Sequence, residues 1–133
     1  MKLYIFTDGG ARGNPGPAAL GVVIKDEQNK TIASYGEYLG KQTNNYAEYS
    51  ALISGLNKAK ELGAIEVECM LDSELVVKQL RLEYRVKEPT LQKLFVQTHN
   101  LSITFKSIKY RHIPREKNKE ADAEVNKTLD NAR

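Results

Sequence analysis

The chain has 133 residues, 41% apolar and 28% charged, a balance that supports one globular domain with a single core and excludes a disordered chain. Its formal net charge of +3 is mild for a protein that holds polyanions by charge alone, but it also suits a chain whose acidic site residues offset a basic surface. The single cysteine, Cys69, excludes an intrachain disulfide.

Along the chain there is no internal repeat, low-complexity tract or linker, so one domain over 1–133 is expected. No apolar run approaches the roughly 20 residues of a membrane span. Met1 leads at once into a strand-like pattern, which leaves no room for a signal peptide, so a cytoplasmic, monomeric protein without membrane contact is the expectation. Residues Lys2 to Thr7 are rich in β-branched and aromatic side chains and predict a strand that stops in a turn at Asp8, Gly9 and Gly10. Ala19–Lys25 and Thr31–Leu39 flank a polar stretch from Asp26 to Lys30, the pattern of a hairpin. Asn44 or Asn45 can cap a helix running to Leu62, with Gly63 as its stop signal. Tyr49, Leu52, Ile53, Leu56 and Ala59 recur at helical spacing and form its apolar stripe.

Ile65–Leu71 then reads as a short buried strand in which Cys69 acts as a small hydrophobe. Ser73 caps a helix to about Arg81, and Pro89 opens another ending near Asn100. Ser102–Tyr110 alternates as a strand, and Glu116–Leu129 closes the chain as a helix. Strands separated by helices require crossovers, hence a parallel portion. The fold class is therefore α/β: a mixed five-stranded sheet, three antiparallel strands and then two parallel ones, flanked by helices.

Four acids fall where such a fold can gather them. Asp8 and Asp72 end the first and fourth strands, Glu48 lies early in the long helix, and Asp122 lies in the last helix. Active sites of α/β sheets sit beyond the carboxyl ends of strands. Crowded carboxylates repel and desolvate one another unless cations neutralise them, and an all-oxygen set suits Mg2+ or Mn2+ rather than zinc. Each acid also has an ordinary alternative: a turn for Asp8, a dipole-favoured charge for Glu48, a cap for Asp72 and a solvated face for Asp122.

Their neighbourhoods are distinctive. Thr7 to Pro17 (TDGGARGNPGP), Thr43 to Tyr49 (TNNYAEY), Asp72-Ser73-Glu74, and His112 to Asp122 (HIPREKNKEAD) together resemble the type 1 ribonuclease H family, in the family's order and over essentially the whole chain. The resemblance implies that Asp8, Glu48, Asp72 and Asp122 are catalytic metal ligands for two Mg2+ ions, with Mn2+ as a substitute. It implies hydrolysis of the RNA strand of an RNA–DNA hybrid, leaving 5′-phosphate and 3′-hydroxyl ends. The 2′-hydroxyl is the group that distinguishes the RNA strand chemically. Gly9, Gly10, Gly13 and Gly16 let backbone pass close to a sugar-phosphate chain, Arg12 and Asn14 can reach phosphate or 2′-hydroxyl, and Thr43, Asn44 and Asn45 form a polar cluster at a helix N-terminus suited to phosphate.

The pattern departs from the family at three places. His112 stands where many members carry a mobile histidine that assists product release, but it follows strand-like residues and precedes Pro114, so Arg115 is the competing candidate beside the scissile phosphate. The basic, tryptophan-containing protrusion of many bacterial members is missing; only Arg81, Arg85 and Lys87 are available to touch phosphate there. Glu74 replaces a common glutamine and cannot donate a hydrogen bond when ionised. Double-stranded RNA, a recombination-type DNA substrate and a catalytically silent binding module are the rival readings.

Overall fold

Ten elements follow from local sequence and are then adjusted by their neighbours. The computed structural model describes residues 1–132; Arg133, the last residue of the expected domain, lies outside them. In order they are β1 (Lys2–Ala11), β2 (Gly16–Lys25), β3 (Thr31–Gln42), α1 (Asn44–Glu61), β4 (Glu66–Leu71), α2 (Glu74–Leu80), α3 (Pro89–Ser102), β5 (Ser107–His112), a 3-10 turn at Arg115–Lys117, and α4 (Lys119–Asn131). The sheet order is β3-β2-β1-β4-β5, with β1–β2 and β2–β3 antiparallel and β1–β4 and β4–β5 parallel. This is the expected mixed sheet.

Alternation along the strands divides the molecule into two layers of core. Leu3 and Ile5 of β1, Leu20, Val22 and Ile24 of β2, and Val67, Cys69 and Leu71 of β4 pack with Tyr49, Leu52, Leu56 and Ala59 of α1. The α1 stripe expected from the sequence is buried throughout. On the other face, Ala19 meets Val125 and Leu129 of α4 in a smaller cluster. Gly21 and Gly36 pair across β2 and β3 beneath α4. A Cβ on Gly21 would overlap the Ala121 carbonyl oxygen, and one on Gly36 would overlap Thr128 Oγ1. Their bare backbone therefore sets how closely α4, and Asp122 with it, approaches the sheet.

Several boundaries differ from the sequence reading, each for a tertiary reason. No turn forms at Asp8-Gly9-Gly10. There β1 keeps pairing with β2 to Ala11↔Ala18, and the Ala11 N–H donates to Asn44 Oδ1 at 2.8 Å. Neither asparagine caps α1: Thr43 does, its hydroxyl accepting from the Tyr46 N–H at 3.1 Å. The last strand starts at Ser107 rather than Ser102. The α3 helix runs on through Ser102 into a turn, and the parallel register Glu66↔Ser107 fixes where pairing begins. Similarly, α4 begins at Lys119, after the 3-10 turn, rather than at Glu116. Arg81 Nε and Nη2 donate to the Tyr110 carbonyl at 3.0 and 2.6 Å. That guanidinium satisfies the exposed edge strand β5 instead of standing free for phosphate.

Candidate active site

The parallel pairing of β1 with β4 ends at Thr7↔Leu71, so Asp8 and Asp72 follow side by side at the same sheet edge. Glu48 reaches them from the start of α1 because Gly9 carries no side chain: a Cβ there would overlap the Ala47 carbonyl and the Glu48 nitrogen. One carboxylate oxygen from each of Asp8, Glu48 and Asp72 lies within 4.8 Å of the others. Asp122, in the first turn of α4, is close enough to Asp8 for a side-chain hydrogen bond. It lines the same cleft of about 530 Å³ but stands outside the tight trio.

Electrostatics make this trio costly on its own. Asp8 and Glu48 are 7% and 8% exposed. Burial, then the charge of Asp72 and the contact and charge of Asp122, push the Asp8 carboxyl up to about 8. Burial, then the charges of Asp8 and Asp72, raise Glu48 well above its ordinary range. A hydrogen bond from the Gly9 backbone and the charge of Arg115 oppose that rise without cancelling it. Glu48 Oε2 is buried with no hydrogen-bond partner. An unpartnered carboxylate oxygen facing two other carboxylates is a donor set for a hard divalent cation, and these residues fit Mg2+ or Mn2+.

A pH dependence follows for the metal-free protein. Asp8 holds its proton in the folded state up to about pH 8, against an ordinary value of 3.8, and Glu48 shifts the same way. Because the folded chain binds more protons than the unfolded one, this stability is complete below about pH 4 and is lost as pH rises through about 8. We expect the EDTA-treated protein to melt at falling temperature between pH 5 and 8, by roughly 5–10 °C, and Mg2+ to flatten that slope. Scanning calorimetry at stepped pH checks it. A flat EDTA series would contradict the assigned burial of charge.

The remaining expected residues separate into two groups. Gly9, Gly10, Arg12, Asn44, Asn45 and Arg115 line the cleft with the four acids. Gly13, Asn14 and Thr43 do not line it. Gly13 turns the loop at φ 100, Thr43 caps α1, and Asn14 Oδ1 accepts from the Asn44 N–H at 3.0 Å. The run Thr43-Asn44-Asn45 is thus partly architectural: Thr43 is a cap and Asn44 a brace to β1, while Asn45 lines the cleft. Arg12 pairs with Asp130 at 2.7 Å, both exposed. His112 ends β5 and acts on Glu74, away from the cleft lining, while Glu74 itself pairs with Lys78 at 2.8 Å.

One residue escaped the sequence reading. Asn118 is 1% exposed, and its Nδ2 donates to the Thr7 carbonyl at 2.8 Å and to Asp72 Oδ2 at 3.2 Å. Its only local signal is that of a helix-capping asparagine before Lys119. The side chain makes no cap bond.

Comparison with known proteins gives the same picture. The family described as reverse transcriptase-like matches residues 6–128. The chain is 44% identical to the bifunctional protein Rv2228c of Mycobacterium tuberculosis over 99% of its own length, which is 36% of that protein. It is 39% identical to ribonuclease HI of Halobacterium salinarum, spanning 98% of this chain and 66% of that one. The crystal structure of RNase H1 from that archaeon superposes with a TM-score of 0.97, covering 99% of this chain and all 100% of the solved one. LC11-RNase H1, isolated from compost and solved in complex with an RNA/DNA hybrid, matches at 46% identity and a TM-score of 0.92 over 96% of each chain. With the sheet order, the gathered acids and near-complete coverage in agreement, the chain belongs to the type 1 ribonuclease H family.

Proposed function

We propose that this chain acts as one ribonuclease H domain over 1–133, an endonuclease that hydrolyses the RNA strand of an RNA–DNA hybrid to 5′-phosphate and 3′-hydroxyl ends. The observation that carries the reading is the trio Asp8, Glu48 and Asp72, the first two buried and the third half-buried, with oxygens within 4.8 Å of one another and Glu48 Oε2 left without a hydrogen-bond partner. The LC11 relative was solved with an RNA/DNA hybrid, which supports that substrate class. A monomeric, cytoplasmic protein remains the working expectation; among the described residues no helix is long and apolar enough to cross a membrane.

Asp8, Glu48, Asp72 and Asp122 would hold two Mg2+ ions, or Mn2+ in their place. Such ions, when bound, polarise the phosphodiester, activate water and stabilise the leaving oxygen. The protein's own part is positioning. Rigid β1 and β4 fix Asp8 and Asp72, and α1 fixes Glu48, so the acids do not reorganise as charge develops. Arg115, whose charge already reaches Asp8 and Glu48, would meet the scissile phosphate by a charge-assisted hydrogen bond. Asn45, Gly10 and Arg12, which line the same cleft, would hold the hybrid.

A substrate panel tests the reading. With Mg2+, end-labelled hybrid should be cut in its RNA strand, with double-stranded RNA cut more slowly and duplex DNA left intact. Equal cutting of duplex DNA would overturn it. Arg115→Ala should lower kcat by about 10- to 100-fold, the cost of removing a charge-assisted contact to phosphate. His112→Ala, outside the cleft lining, should change kcat less than about threefold. Steady-state kinetics on the same hybrid compares them, and the reverse ranking removes Arg115 from the mechanism.

A further inference from the structure

Asn118 is none of the acids or glycines singled out from the sequence, yet it bonds to several parts of the site. Its backbone N–H donates to the Arg115 carbonyl at 2.9 Å, and its carbonyl accepts the Asp122 N–H at 3.1 Å. Its side-chain Nδ2 reaches across 111 residues of sequence to the Thr7 carbonyl, next to Asp8, and also to Asp72 Oδ2. The amide orientation is forced: turned over, its oxygen would face a carbonyl and a carboxylate. Asn118 Oδ1 is itself buried without a protein partner. A polar side chain this deeply buried, holding one oxygen of a candidate ligand, resembles the outer contacts that orient metal ligands in other sites.

We propose that Asn118 is a positioning residue for the reaction: it fixes the rotation of the Asp72 carboxylate and ties α4, with Asp122, to β1, with Asp8. The inference rests on the reading of the site given under Proposed function. Nδ2 donates to one carboxylate oxygen, Oδ2, and so leaves the other turned to the cation site. By binding the Thr7 carbonyl at the same time, one amide sets the spacing between the two strands' carboxylates and the helix that supplies the fourth.

The test compares wild type with Asn118→Ala and Asn118→Ser, neither of which can span both acceptors. Three readouts are taken: Mn2+ affinity by titration calorimetry without nucleic acid, kcat and KM on hybrid across a Mg2+ series, and melting temperature. The expected result is Mn2+ affinity weaker by about 10- to 100-fold, a matching rise in the Mg2+ concentration for half-maximal rate, and KM for hybrid within about twofold. The fraction folded at assay temperature should stay near that of wild type. If a folded variant keeps wild-type Mn2+ affinity and Mg2+ dependence, the proposal fails. It also fails if activity falls only in proportion to the folded fraction, or if neither variant folds, since each outcome makes Asn118 a purely structural residue. Wild-type protein that neither binds Mn2+ nor cuts hybrid would overturn the functional reading itself, a result the variants cannot mimic.

Discussion

Asp8→Asn is expected to slow hybrid cleavage at least about a thousandfold at saturating Mg2+, a loss of roughly 4 kcal/mol of transition-state stabilisation. Asp8 stands between Asp72 and Glu48 on one side and Asp122 on the other. An amide keeps its shape but not the anionic charge that a divalent ion needs. The same change removes a buried carboxylate whose neighbours repel it, so the metal-free variant should melt above wild type, by about 5 °C at pH 8. Hybrid affinity should persist or rise slightly, because one negative charge facing a polyanion has gone. Single-turnover cleavage, calorimetry in EDTA and a binding titration read the three effects. A variant that kept more than about a tenth of wild-type rate, or melted lower in EDTA, would remove Asp8 from the centre of the site.

Gly9 and Gly10 are neighbours in the sequence and look alike there; substitution should separate them sharply. A Cβ on Gly9 falls on the Ala47 carbonyl and the Glu48 nitrogen, which are backbone and cannot swing aside. Gly9→Ala must push the start of α1 off β1, at a cost of about 3 kcal/mol or more, and Glu48 moves with it. Both stability and cleavage should collapse. A Cβ on Gly10 would lie 3.6 Å from Val125 Cγ1, an ordinary contact, so Gly10→Ala should unfold within about 1 kcal/mol of wild type. Urea denaturation of both variants checks the contrast. Equal stabilities would mean that α1 does not lie against Gly9 as described.

Features written in short-range patterns were legible before any fold was known. The hairpin after β2 is local: Asp26 Oδ1 accepts from the Gln28 and Lys30 N–H groups, and Asn29 takes φ 64. The α1 stripe from Tyr49 to Ala59 is a periodicity, and Ser73 capping α2 is a motif. The four acids became legible only together, through the segments around them. Their convergence depends on the parallel register of β1 and β4, which no local window carries. The failures share that cause. β1 outruns its expected turn because α1 lies against Gly9 and Asn44 reaches Ala11. Arg81, read as a spare cation, is taken by the Tyr110 carbonyl. Asn118 could be read as a cap but not as a bridge, since its acceptors lie in β1 and just past β4, far back in the chain.

Anomalous diffraction from crystals soaked in Mn2+ bears most directly on the whole account. It should show a peak coordinated by the carboxylate oxygens of Asp8, Glu48 and Asp72, with Asp122 turned toward a neighbouring position. Crystals in which those side chains diverge and no anomalous density appears among them would contradict it.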